Sequence, residues 1–111
     1  MFDSLKIYKH KVISIEKVCQ KLSSLKYGST KVVAEPGDFA LKGDTLELFP
    51  INFSLPVRIE WDFGKIGKIY SFDQNFTKIL EYDLLIILPY FKKAQHYRSE
   101  DYPLEGSLRI K

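Results

Sequence analysis

Cysteine is almost missing from this chain: Cys19 stands alone in 111 residues. That excludes an internal disulfide and fits a reducing compartment such as the cytoplasm. Histidine is nearly as scarce: His10 and His96 lie far apart and belong to no motif. No CxxC, HExxH or other ligand spacing argues for a metal. Gly64-Lys65-Ile66-Gly67 reads as a turn rather than a GxxxxGK[ST] phosphate loop. The expectation is therefore no metal, no cofactor and no catalytic motif. Long hydrophobic runs are also lacking, since the longest, residues 84–88, is strand-sized and far short of the ~20 residues of a membrane span. Residues 1–14 carry scattered charges without a small-residue cleavage site, so no signal peptide is evident. Asn75-Phe76-Thr77 matches the glycosylation pattern but, with no secretion signal, reads as chance. Arginine is rare beside lysine and the net charge is only +3. Nucleic-acid-binding domains usually show stronger, clustered basicity.

What is present is ordinary globular material, 45% hydrophobic and 28% charged, so disorder is not expected. A chain of this length buries roughly 60–70% of its unfolded surface, enough for one core. We read residues 1–111 as one domain with its core in 13–89. Residues 90–111 show no clear period and read as an extended or partly ordered tail.

Residues 35–73 organise the rest. In 38–49 the apolar Phe39, Leu41, Leu46 and Leu48 share one strand register, while Asp38, Ala40, Lys42, Thr45 and Glu47 share the other. Gly43-Asp44 between the runs suits a two-residue turn with Lys42 opposite Thr45 and Leu41 opposite Leu46. A second hairpin follows. Val57, Ile59, Trp61 and Phe63 alternate with Arg58, Glu60 and Asp62, and Gly64-Lys65 supplies the turn. Strict pairing would then place Lys68 on the apolar face. Either Gly67 marks a bulge that restores the register or Lys68 reaches out along the rim.

Around these hairpins, residues 5–10 read as an edge strand or an incoming linker. Ser14 caps a helix through Leu25, with Glu16 in its first turn and Ile15, Val18, Leu22 and Leu25 as its apolar stripe. Cys19 beside that stripe reads as a small buried residue rather than a nucleophile. Gly28 is read as the helix's stop, residues 31–34 as a short strand, and 51–56 as a loop exposing Ile51 and Phe53. Residues 74–77 read as another loop. Residues 82–88, apolar in both registers, read as a strand lying centrally or at an interface. The fold class expected is α+β, a small antiparallel sheet built from hairpins with a helix packed on one face. Its other face would present Lys42, Thr45, Glu47, Arg58, Glu60 and Asp62, with Ala40 leaving room between them. A charged open face has no function by itself. An acid–base pair drawn from its carboxylates is the weak alternative.

At residues 35–73 the chain resembles a known family. Gly37-Asp38-Phe39-Ala40, Lys42-Gly43, Leu46-Glu47-Leu48-Phe49-Pro50, Pro56-Val57-Arg58-Ile59-Glu60-Trp61 and Phe72-Asp73 are similar to the UvrB-homology module of the bacterial transcription-repair coupling factor, Mfd. Domain 2 of UvrB is its counterpart, and the likeness spans about 13–89. Ala40 looks like the coupling factor, where UvrB tends to carry arginine. The resemblance implies a cytoplasmic, non-catalytic adaptor for protein–protein interaction, recruiting UvrA in transcription-coupled nucleotide excision repair. The intact parent would be an ATP-dependent DNA translocase, whose other domains are further, intramolecular partners. The chain is then an excised domain or a stand-alone relic. Carried over residue by residue, the UvrA contacts fall on Lys42, where the family has arginine, on Arg58, and on Asp62, where the family has an aromatic. Ala40 and Glu60 lie on the same face. Gly64-Lys65 replaces the family's acidic pair at the second turn. The alternative reading is a small lysine-based nucleic-acid-binding module.

Overall fold

A computed structural model describes residues 4–90; the proposed tail beyond them lies outside the described residues. The elements are β1 (Leu5–Tyr8), α1 (Ile15–Ser24), β2 (Gly28–Ser29), β3 (Asp38–Lys42), β4 (Thr45–Leu48), β5 (Val57–Asp62), β6 (Lys65–Phe72), β7 (Lys78–Glu81) and β8 (Leu84–Ile87). Strands β2 to β7 lie side by side in chain order as a six-stranded sheet, antiparallel except for the short parallel pair β2–β3. Strands β1 and β8 form a separate antiparallel pair. Among the described residues the fold is mostly β, with a larger sheet than hairpin counting suggested and one short helix.

One core joins the parts. Val18, Leu22 and Leu25 from the helix region share it with Leu46, Leu48, Val57, Ile59, Ile66 and Ile69 of the sheet and with Leu5, Ile7, Leu85 and Ile87 of the small pair. Each such aliphatic side chain contributes about 1.5–3 kcal/mol on burial. The helix begins as its sequence dictates: Ser14 Oγ accepts from the Lys17 amide at 3.1 Å, and Glu16 lies in the first turn. Its end differs. Lys26, not Gly28, takes the left-handed conformation, at φ 75°, and Gly28 enters β2. The glycine that looked like a stop is instead the start of a strand pairing with Asp38.

The first hairpin pairs as expected, Lys42 with Thr45 and Leu41 with Leu46. Leu41 nevertheless remains exposed at its strand end. The second hairpin turns one residue earlier than expected, at Phe63-Gly64, with Asp62 opposite Lys65. Both turn residues have positive φ, 51° and 82°, so a phenylalanine occupies a backbone conformation that favours glycine. Gly67 is the bulge: Trp61 pairs with Ile66 and Glu60 with Lys68, leaving Gly67 as the extra residue. This keeps both Ile66 and Ile69 in the core and Lys68 outside.

Other expectations are corrected. Residues 31–34 form no strand. The 74–77 loop is followed by β7, whose KILE pattern is exposed throughout and carried no periodic signal. The apolar strand near the C-terminal end does not lie centrally in the main sheet but pairs with β1, burying Leu85 and Ile87 and exposing Leu84 and Ile86. Ile51 and Phe53 are half-buried against the core, held by a loop whose Ile51 amide donates to Tyr27 Oη at 3.2 Å. That hydroxyl in turn donates to the Leu88 carbonyl at 2.8 Å. Trp61 Nε1 donates to the Ile13 carbonyl at 2.6 Å, tying β5 to the start of the helix.

Two measurements check this account. Tyr27→Phe removes both hydroxyl bonds at once and should lower unfolding free energy by about 1–2 kcal/mol in urea melts. Gly67→Val should destabilise by more, because a Cβ at position 67 would lie 3.1 Å from the Asp62 Cβ and 3.4 Å from the Glu60 carbonyl. A Gly67→Val chain as stable as the natural one would contradict the bulge.

Candidate protein-docking face

The face of the six-stranded sheet opposite the core is built from two cross-strand rows. One runs Ala40, Glu47, Arg58, Tyr70 and Glu81 through β3 to β7, and the other runs Lys42, Thr45, Glu60 and Lys68. The ladder fixes these rows, since residues opposite one another on neighbouring strands share a face.

Glu47 lies at the centre. It is only 3% exposed, and a buried carboxylate needs partners. Arg58 Nη2 donates to its Oε2 at 2.5 Å, and Lys42 Nζ lies 3.9 Å from its Oε1. The other fork nitrogen of Arg58 points to Tyr70 Oη at 3.4 Å, while Tyr70 Oη donates to Glu60 Oε2 at 2.6 Å. The guanidinium also stands over the Phe72 ring, 5.2 Å from its centroid. Burial works against the guanidinium's charge, but the bonds to Glu47 and Tyr70 outweigh it and hold Arg58 above the ordinary arginine value. Tyr70 is raised, first by burial and then by the bond it gives to Glu60. Arg58 Nε is buried without a hydrogen-bond partner among the described residues.

The residues named from sequence are thus partly brought together. Lys42 and Arg58 converge on one carboxylate from β3 and β5, the two strands that flank β4. Ala40 sits directly across from Glu47 and is buried, as Glu47 is, so this part of the face is recessed and not simply open to solvent. Glu60 joins the network through Tyr70. Asp62 stands apart, exposed beside the second turn and opposite Lys65. Two contributors were missed. Tyr70 and Phe72 reach this face only because of the bulge at Gly67, and the glycine was the signal that could have placed them. Glu47 was read as one of several surface charges and not as the group that gathers the cations.

Among the described residues no group of three or more His, Cys, Asp and Glu is placed to hold a metal ion. Lys42 and Arg58 balance the carboxylates of Glu47 and Glu60, and what they offer is a held guanidinium and a half-exposed ammonium, both charged donors suited to a carboxylate on another surface. Glu47→Ala should leave Arg58 without its main partner and cost on the order of 1–3 kcal/mol in denaturant unfolding, whereas Glu47→Gln, which keeps an acceptor, should cost less.

Comparison with known proteins finds a family and several relatives. A family described as the UvrB interaction domain matches residues 5–97. UvrABC system protein B of Treponema denticola is 35% identical over 107 residues, 95% of this chain and 16% of that protein. The transcription-repair-coupling factor of Borreliella burgdorferi is 32% identical over 85 residues, 72% of this chain and 8% of that protein. UvrABC system protein B of Kosmotoga olearia is 37% identical over 70 residues, 62% of this chain and 10% of that protein. The chain therefore spans only a small part of the length of these relatives, and both kinds of protein carry a similar stretch.

Proposed function

The chain belongs to the UvrB interaction domain family, and from that premise we propose that it is a protein-interaction adaptor that recruits UvrA in nucleotide excision repair. The observation that carries this reading is the convergence of Lys42 and Arg58 on Glu47, which holds two cations either side of one carboxylate on one face. Arg58 supplies orientation, because its fork is already divided between Glu47 and Tyr70. Lys42 supplies a point charge that can turn toward a partner, being about half exposed. Ala40 lets a partner backbone approach the recess. Glu60 fixes Tyr70, and Asp62, at the margin of the face, steers by charge. The module itself is non-catalytic. Within the family we place it in the context of a transcription-repair coupling factor, on the small residue at position 40.

Titration of purified UvrA against the chain tests the proposal. Binding is expected, with Lys42→Glu and Arg58→Ala each weakening it about tenfold or more, as central charged anchors do. Circular dichroism must show both variants folded. No association by the natural sequence would overturn the reading. Unchanged affinity when Lys42→Glu and Arg58→Ala are combined in one chain would overturn the face.

A further inference from the structure

Away from the main sheet, the β1–β8 pair turns one face into the core and the other outward. Leu5, Ile7, Leu85 and Ile87 point inward and are buried, so strand alternation leaves Lys6, Tyr8, Leu84 and Ile86 on the outer side. Lys6 stands across from Ile86, and Tyr8 across from Leu84. Tyr8 is 43% exposed, Leu84 45% and Ile86 44%. A strand face turned to water usually carries polar residues at such positions. Here the hydrocarbon is bordered by ammonium groups instead. Lys11 Nζ lies 5.3 Å from the Tyr8 ring centroid and donates to the Lys6 carbonyl at 2.7 Å. Neither Lys6 nor Lys11 has a carboxylate partner among the described residues. Asp83, just before β8, is already matched by Lys9 at 3.9 Å.

Size decides what can cover this face. Two strands of four residues span about 13 Å by about 10 Å, far less than the ~800 Å² per partner of a standard interface. A free partner or a second copy therefore gains too little here to hold. A tethered segment needs no such area, because its effective concentration is on the order of millimolar. The chain itself supplies one. After β8 the Tyr90 amide donates to the Leu25 carbonyl at 2.8 Å, and the sequence runs on from 91 to 111. The acidic residues of that stretch are Glu100, Asp101 and Glu105, with Tyr102 and Leu104 among them. Its basic residues fall outside this cluster: Lys92, Lys93 and Arg98 before it, Arg109 and Lys111 after it. Pro103 disfavours helical backbone at Tyr102, and in an extended chain Tyr102 and Leu104 share a side. Residues 91–99 can reach up to about 30 Å, more than twice the length of the ribbon.

We propose that residues 100–105 of this chain lie across the outer face of the β1–β8 pair. Tyr102 and Leu104 cover Tyr8, Leu84 and Ile86, while Glu100, Asp101 and Glu105 turn toward Lys6 and Lys11. Both demands of the face are then met together. Apolar atoms cover apolar atoms, and the two unmatched ammonium groups gain carboxylates at the border, where their stems can run along the hydrocarbon. The flanking residues 91–98 meet neither demand, because their basic charge repels Lys6 and Lys11. Since the ribbon joins the first strand of the fold to the last, the segment also braces the two ends against each other.

Zero-length carbodiimide coupling of the whole 111-residue chain, followed by proteolysis and mass spectrometry, tests the proposal. Amide links are expected between Lys6 or Lys11 and Glu100, Asp101 or Glu105 in the monomer. The Lys9–Asp83 pair serves as the internal control for coupling. Ile86→Thr keeps a β-branched residue on the exposed side of the strand, and Leu104→Ser leaves residues 4–90 untouched. Each should cut the yield of the expected links about fivefold or more, with the circular dichroism spectrum unchanged. Natural yield in both variants would reduce the links to chance encounters of a tethered acid with surface lysines, and would overturn the proposal. Links found only between two chains would overturn it by assigning the face to a second copy. Absence of the links while Lys9 and Asp83 couple normally would overturn it outright.

Discussion

A single extra residue in β6 decides which way the rest of that strand faces. Without it, alternation running back from the Phe63-Gly64 turn would drive Lys68 into the core and Ile69 out of it. Gly67 takes up the slip, so Ile66 and Ile69 both point inward and Tyr70 and Phe72 face the other side. A one-residue slip would exchange the two faces over the rest of the strand. The bulge must be a glycine or something nearly as small, since the Asp62 Cβ lies where a longer side chain would begin. The core and the polar face therefore share one constraint. Whatever keeps the isoleucines buried also brings Tyr70 to Arg58 and Glu60.

On the polar face, magnitudes separate what stabilises from what orients. Withdrawing a carboxylate from water costs several kcal/mol, and a pair with a cation often does little more than offset that loss. The Glu47–Arg58 pair is therefore weak support for the fold as such, and Lys42, half exposed and at 3.9 Å, adds little. The hydrophobic core carries stability. What the pair supplies is geometry: a planar guanidinium held by Glu47, by Tyr70 and by the Phe72 ring beneath it. Side chains already fixed in this way lose less freedom on association, which is where affinity is most easily wasted.

The sequence made some of this legible and concealed the rest, for identifiable reasons. Short-range chemistry was readable: the Ser14 cap, the Gly43-Asp44 turn and the register across it follow from neighbours a few residues apart. The family was readable too, from the motifs around Gly37, Pro50 and Trp61. The position of the second turn was not, because a phenylalanine in the left-handed region breaks the rule that reads glycine first. β7 is exposed on both sides and so lacks the alternation that burial writes into a strand. The pairing of β1 with β8 joins segments almost eighty positions apart, and no local pattern announces it. On the polar face, Lys42 and Arg58 were named but not the carboxylate they meet at. That Glu47 is buried depends on what lies across the strands from it, and composition is silent about that.

The burial of Glu47 and Ala40 also bears on why this face is more than a solvated side of a sheet. An ordinary exposed strand surface shows its charges to water on every row, where screening reduces them to near neutrality in effect. Here the row through Ala40, Glu47 and Arg58 is recessed, with apolar residues from the loops before β3 and after β6 rising around it. A charge set within low-dielectric walls is less screened, and its field is focused toward the opening. The same loops therefore do two things at once. They set Glu47 and Lys42 at the floor of a recess, and they limit the directions from which anything can reach them. A flat, fully solvated strand face would have neither property.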